Sequence, residues 1–419
     1  MLRKLVCCLA VCLAGSMVAC ARSTPLFSEQ NAQAHVRMLA DTIGSRPAGT
    51  RANVQARAYV VEQLKQAGFE VRVQETDAHR RDLGLTAHVA NVIAVLPGQR
   101  REAVGLLSHF DSVAEAPGAG DDALGVAVAL EAGRVLAARR DRVWSLFVLI
   151  TDAEESGLMG AAALVGERDV TDRLRAYINV EAIGTAGVPV LFETGPGNGW
   201  LTAAWARHAP HPRGGSYAIE VYRRLPNDTD FSILKTHDIP GLNFAAVGDS
   251  YAYHTTRDTA ERLSPRTLRT MGENAVAILE ALEQRDITQR SPADHTFFDI
   301  AGTTAVSYGP AVSTGIAAAA LLLGVLAWAR ILRTVLLTNG FWRWALTGLW
   351  TALATVAVCA AMIGAVWLLR SAREVYHPWY AHPGRLVALA LATGTTAGWA
   401  LARAGRLLPA RAHGARHPA

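Results

Sequence analysis

Two histidines and four acids follow one another along the chain in short, turn-rich contexts. They are His109 in SHFDS, Asp121 in GAGDDALG, Glu154 and Glu155 in TDAEESG, Glu181 in INVEAIG and His254 in YHTTRDT. Two imidazoles and three carboxylates suit a pair of divalent ions with one carboxylate shared between them, which leaves one glutamate free to act as a base. The five cysteines, Cys7, Cys8, Cys12, Cys20 and Cys359, all lie outside this stretch. A thiolate zinc site is therefore excluded, and the region carrying the six residues has no disulfide.

Taken singly, each residue has an ordinary alternative. His109 and Asp111 stand two apart in an extended segment and share a face, so Asp111 can orient the imidazole, although an HxD pair alone is weak. Asp121 and Asp122 read as the start of a helix, where a carboxylate caps free amides and meets a favourable dipole. A bridging role instead requires the two oxygens of Asp121 to face separate ions, an approach that the glycine turn permits. Paired acids such as Glu154 and Glu155 are usually solvated, but these directly follow the buried-strand pattern SLFVLIT. Neighbouring carboxylates there can divide labour, one binding metal and one moving protons. Asp230, in LPNDTDFSIL, reads as a helix cap, and Asp258 as an organiser of the turn after His254. His79, His88, His208, His211 and His237 have no supporting context and read as surface or structural residues.

The positioning elements follow from periodicity. Strand-like runs occupy 70–73, 90–96, 104–108, 146–151, 176–180 and 242–247, with helical patterns at 28–43, 50–67, 123–138 and 202–208. Gly68 is placed to end the second helix. Apolar strands alternating with helices predict an α/β fold, a mostly parallel mixed sheet flanked by helices on both faces. His109, Glu154 and Glu181 each fall just past a strand's C-terminal end, the edge at which open α/β sheets form ligand sites.

The 419 residues are 51% hydrophobic, but unevenly so. Residues 1–22 read as a signal peptide, lipoprotein leader or signal anchor, with Arg3 and Lys4 before a short apolar core and Met17-Val18-Ala19-Cys20 resembling a lipobox. Residues 23–290 form the soluble catalytic domain, 291–309 a linker, 310–402 three transmembrane helices (310–328, 344–369 and 386–401) and 403–419 a basic cytoplasmic tail. Arg330, Arg333 and Arg343 in one loop and Arg403, Arg406, Arg411 and Arg416 at the end mark the cytoplasmic side. The loop with Glu374, Tyr376, Trp379 and Tyr380 then faces outward, and so does the catalytic domain. A net charge of +5 without a basic-aromatic stripe argues against a nucleic-acid partner.

The joint order of these residues resembles the co-catalytic zinc aminopeptidase family of clan MH, which also holds glutamate carboxypeptidases and glutaminyl cyclases. The likeness runs from about residue 34 to residue 281 and includes the entry segment IGSRPAGT. HFDSV, GAGDDA, DAEESGLMGA and YHTTRDT are most similar to the ER-type membrane metallopeptidases, which also join this domain to following membrane spans. The membrane portion here is shorter. The resemblance implies two zinc ions: His109 and Glu181 on one, Glu155 and His254 on the other, and Asp121 bridging. Glu154 would be general base and acid, with Asp111 beside it in the catalytic set. Glu181 departs from the family, which commonly has aspartate there. The implied activity is hydrolysis of N-terminal residues from peptides outside the cytoplasm, with the bilayer as anchor. Carboxypeptidase or cyclase chemistry on the same scaffold and an inactive binding protein are the alternatives. Transport is disfavoured, since the spans lack a charged pathway.

Overall fold

Seven strands form one sheet: β1 (Glu70–Arg80), β2 (Leu85–Leu96), β3 (Arg100–His109), β4 (Trp144–Thr151), β5 (Leu174–Ala182), β6 (Val190–Thr194) and β7 (Gly241–Ala246). Their spatial order is β1-β2-β4-β3-β5-β7-β6. The central β4, β3, β5 and β7 are mutually parallel, and β2 and β6 flank them antiparallel. This is the mixed, mostly parallel sheet expected. The computed structural model describes residues 26–139, 141–225, 227–289, 292–337, 341–373 and 383–406. The leader with Cys20, the loop with Glu374, Tyr376, Trp379 and Tyr380, and Arg411 and Arg416 lie outside the described residues.

Among the described residues before Pro310 the regular α-helices are α1 (Glu29–Arg37), α2 (Arg51–Gln66), α3 (Gly125–Ala137), α4 (Met159–Leu164), α5 (Arg168–Thr171), α6 (Gly199–His208), α7 (Ser216–Tyr222), α8 (Asp230–Thr236) and α9 (Pro265–Glu283). Local chemistry starts several of them. The hydroxyls of Ser28, Thr50 and Ser264 accept the amides of Asn31, Asn53 and Thr267 and so cap α1, α2 and α9, the last with Pro265 in its first turn. Gly68, at φ +92, ends α2 as its sequence position predicts. Alternate strand residues feed two cores. Val104, Leu106, Val148 and Ile178 pack with α1, α2, α3 and α9, whereas Leu107, Phe147, Leu149 and Tyr177 pack with α4 and α8.

Two segments differ from expectation. β1 and β2 form a hairpin that extends the runs read at 70–73 and 90–96 to Arg80 and back to Leu85. Its outer arms alternate charged and exposed positions, which hides the apolar strand signal. The segment read as a linker at 291–309 folds as a second hairpin, β8 (Thr296–Ile300) and β9 (Thr304–Tyr308). Phe297 is buried and meets Trp205 of α6 edge-on at 5.5 Å. The aromatic and β-branched alternation of TFFDI and TAVSY around an Ala301-Gly302 turn is a hairpin pattern that overrides the linker reading.

Among the described residues three helices follow: α10 (Pro310–Leu337), α11 (Phe341–Arg373) and α12 (Pro383–Arg406). Two windows, Pro310–Thr334 and Gly348–Ala372, have mean hydropathies of 2.0 and 2.3, and each is 25 residues long. At 1.5 Å per residue such a length exceeds the roughly 30 Å of a hydrocarbon core. The third apolar stretch, Val387–Leu401, is shorter. Leu321 and Ile363 project outward from α10 and α11, an apolar exterior suited to lipid rather than water.

Candidate active site and metal centre

The C-terminal edge of the parallel strands gathers all six candidate residues. His109 is the last residue of β3, Glu181 the penultimate residue of β5, and Glu154 and Glu155 follow β4 by three and four residues. His254 lies in the turns after β7, at φ +56. Asp121 differs from its sequence reading. Residues Ala119–Leu124 form an irregular turn in which Asp121 (φ −110, ψ 94) and Asp122 (φ −129, ψ 41) are non-helical, and the regular helix begins only at Gly125. Capping falls to Asp122, whose Oδ1 accepts the Gly125 amide at 2.9 Å. Asp121 is thereby released to face the site. The turn needs Gly118 at φ +65, where a side chain would meet the Asp121 carbonyl at 2.5 Å.

Asp121 presents its two oxygens to two imidazoles. Oδ1 lies 3.1 Å from His109 Nε2, and Oδ2 lies 3.1 Å from His254 Nε2. Glu155 Oε2 stands 2.9 Å from the same His254 nitrogen, and Glu181 Oε2 stands 3.6 Å from His109 Nε2. Two groups of possible ion ligands result, His109-Glu154-Glu181 and Asp121-Glu155-His254, each with one ligand atom per residue within 4.8 Å of the others.

The donor set fits divalent cations of the zinc type, with imidazole nitrogen and carboxylate oxygen on both sides. Four carboxylates face two imidazoles, and Glu155 Oε1 is buried without a hydrogen-bond partner. Burial, and then the charge of Asp121, pushes the Glu155 carboxyl up to about 7. Burial raises Glu154 well above the usual range, aided by the charges of Glu181, Asp230 and Asp121. Asp121 behaves oppositely: burial opposes its charge, but the two imidazoles outweigh it and hold the group at about 2. His254 is lifted to about 10, because Asp121 and Glu155 overcome the cost of its burial. Such an excess of buried anion is what bound cations balance.

Further residues set this geometry. Asp111 Oδ1 lies 3.3 Å from His109 Nδ1, and its two oxygens accept the main-chain amides of Glu154 (3.1 Å) and Glu155 (3.2 Å). It thus orients the ring and also fixes the loop bearing the glutamate pair. Asp258 accepts the amides of Gly120 (2.6 Å) and Asp121 (3.1 Å), so it anchors the Asp121 turn rather than only its own. Asp230 is not the expected cap: Thr229 is the flanking residue of α8, and the fully buried Asp230 carboxylate accepts Thr151 Oγ1 at the end of β4. Burial raises it to about 7, opposed by Thr151.

Arg46, unremarked in sequence beyond its turn-rich segment, is fully buried. Its guanidinium donates to the carbonyls of Leu39, Gly44, Phe110, Pro117 and Gly118, tying the chain on both sides of the site. Only its setting among glycine and proline hinted at a fixed turn. The histidines read as peripheral stay so: His79 and His88 bond Thr86 and Asp77 on the exposed hairpin, His211 pairs with Glu273 at 2.6 Å, His237 bonds Ile233, and His208 is exposed.

Comparison with known proteins addresses the same stretch of chain. A family model described as Peptidase family M28 matches residues 91–279, which enclose His109 through His254. Endoplasmic reticulum metallopeptidase 1 of Rattus norvegicus is 36% identical over 231 residues, covering 53% of this chain and 26% of that protein. A putative endoplasmic reticulum metallopeptidase 1 of Schizosaccharomyces pombe is 33% identical over 310 residues, covering 67% of this chain and 37% of that protein. The chain thus spans 26% to 37% of the length of these curated relatives. Among solved structures, a glutaminyl cyclase of Porphyromonas gingivalis superposes with a TM-score of 0.50 at 20% identity, covering 61% of this chain and 99% of that one, which shows a shared fold. The domain that carries the acid and imidazole cluster belongs to peptidase family M28.

Proposed function

We propose that the chain is a membrane-anchored zinc exopeptidase that removes N-terminal residues from peptides on the exocytoplasmic side. The observation that carries this reading is the division of the Asp121 oxygens between His109 and His254 at 3.1 Å each. In this reading His109 and Glu181 would hold one zinc, Glu155 and His254 the other, and Asp121 would be shared between them. His109, Glu181 and a shared Asp121 would already give that zinc three protein donors, which leaves the adjacent Glu154 for proton transfer. Zinc at such a site lowers the proton affinity of water and polarises a carbonyl.

Glu154 does the proton work. Its place beside His109 and Glu181 suits it to take a proton from the attacking water and pass it to the leaving amine. Asp111 holds its amide, so the carboxylate starts from a fixed loop. An α-carboxylate would need a free cation beside the site to receive it. Arg46 and Arg80, which border its loops, are committed to carbonyls and to Asp82. The outward orientation rests on the arginines flanking the apolar helices.

The test is a digest with the full chain in detergent and zinc. Peptides with free, acetylated or amidated ends are followed by mass spectrometry. Shortening from a free N-terminus, blocked by acetylation, is expected. Shortening from the C-terminus would contradict the assignment.

A further inference from the structure

Strands β5, β7 and β6 carry a row of polar side chains toward the core formed by Tyr177, Phe231 and Leu234. Asn179, Glu181, Glu193 and Asn243 are all buried. Asn179 is paired in register with Asn243, and Asn243 with Glu193, so the three side chains run straight across the strands. Such groups are costly in an apolar setting unless something is gained from their arrangement.

Their hydrogen bonds have a direction. Lys235 Nζ donates to Glu193 Oε1 at 2.5 Å. Glu193 Oε2 accepts Asn243 Nδ2 at 3.2 Å, Asn243 Oδ1 accepts Asn179 Nδ2 at 2.9 Å, and the same Nδ2 donates to Glu181 Oε1 at 3.1 Å. A carboxylate only accepts, so Glu193 dictates which end of the Asn243 amide faces it. That choice turns the Asn243 carbonyl toward Asn179 and draws the Asn179 amino group in. The second hydrogen of that amino group is then aimed at Glu181. Asn179 Oδ1 has no partner and is buried, so the row serves donor polarity rather than the satisfaction of every atom. With Oε1 tied, Glu181 presents Oε2 to His109 Nε2 at 3.6 Å.

We infer that Lys235, Glu193, Asn243 and Asn179 form a positioning relay that fixes which oxygen of Glu181 faces the His109 side of the metal centre. The relay rests on the zinc reading above. Its outer end borders a cavity of about 390 Å³ that Arg223 and His295 also line, so Lys235 is accessible to change without disturbing the core.

The test uses the full chain in detergent, loaded with zinc, as wild type and as Glu193→Gln, Asn243→Leu, Lys235→Met and Lys235→Arg. Zinc per chain under graded chelator, the thermal midpoint, kcat and KM are measured separately. The relay predicts that Glu193→Gln and Asn243→Leu loosen one of two zincs by about 10- to 100-fold and leave the other unchanged. kcat should fall with little change in KM, and Lys235→Arg should rescue what Lys235→Met loses. Asn243→Leu risks misfolding, so the near-isosteric Glu193→Gln decides. A folded Glu193→Gln protein that holds both zincs as tightly as wild type overturns the relay alone. Wild type without zinc overturns the relay together with the function on which it rests.

Discussion

Asp258 Oδ2 accepts the main-chain amide of Asp121 at 3.1 Å, while its other oxygen accepts Gly120 at 2.6 Å. A residue four places after His254 therefore holds the turn that aims Asp121 between two imidazoles. Asp258→Ala leaves two buried amides unpaired, at about 1–3 kcal/mol each. The expected outcome is a lower thermal midpoint and zinc held about 10- to 100-fold less tightly. Asp258→Asn retains one acceptor and should fall between; chelator competition and thermal melts check both.

Glu154→Gln removes the proton acceptor and keeps the shape. Turnover should drop by about 10²- to 10⁴-fold with zinc content unchanged. Metal analysis beside steady-state kinetics checks this, and zinc loss in the variant would make Glu154 a ligand.

Arg46→Met strips the donors from five carbonyls around the buried guanidinium. Destabilisation by at least about 3 kcal/mol is expected from several orphaned acceptors. Lysine, without the planar fork, should restore only part. Denaturant midpoints at constant slope give the comparison.

Zinc removal should make stability fall as pH rises. Glu155 and Asp230, both held near 7 by burial, bind protons more tightly folded than unfolded. Their contribution is complete below the ordinary carboxyl range and is lost as pH climbs through about 7. His254, raised to about 10, acts in the same sense over a higher window that opens above its unfolded value of 6.5. Chelator-treated protein should therefore melt lower at pH 8 than at pH 5.5. Zinc should raise the midpoint more at pH 8, where its ligands have also lost their protons.

The strand-end residues were legible because a long buried run followed by an acid or histidine is a poor surface pattern, and His109, Glu154 and Glu181 all have that form. Asp121 was legible as a residue but not as a conformation, since aspartate before an apolar helix also suits a cap. Its neighbour Asp122 took that task and freed it. Asp230 was misread for the same reason. Arg46 and the row from Asn179 to Lys235 were invisible, because most of their partners lie far away in sequence: Arg46 meets carbonyls of the 110–118 segment, and the row is assembled by strand register. The β1–β2 extension and the β8–β9 hairpin were missed where charged or short strands weaken the apolar signal.

The central claim is that His109, Asp121, Glu155, Glu181 and His254 form one two-ion site. X-ray absorption on the zinc-loaded chain, with metal content measured on the same sample, tests it most directly. Two zincs per chain and a metal–metal distance of about 3.5–4 Å are predicted, with that scattering lost in Asp121→Ala. A single zinc per chain, or two with no mutual scattering, would contradict it.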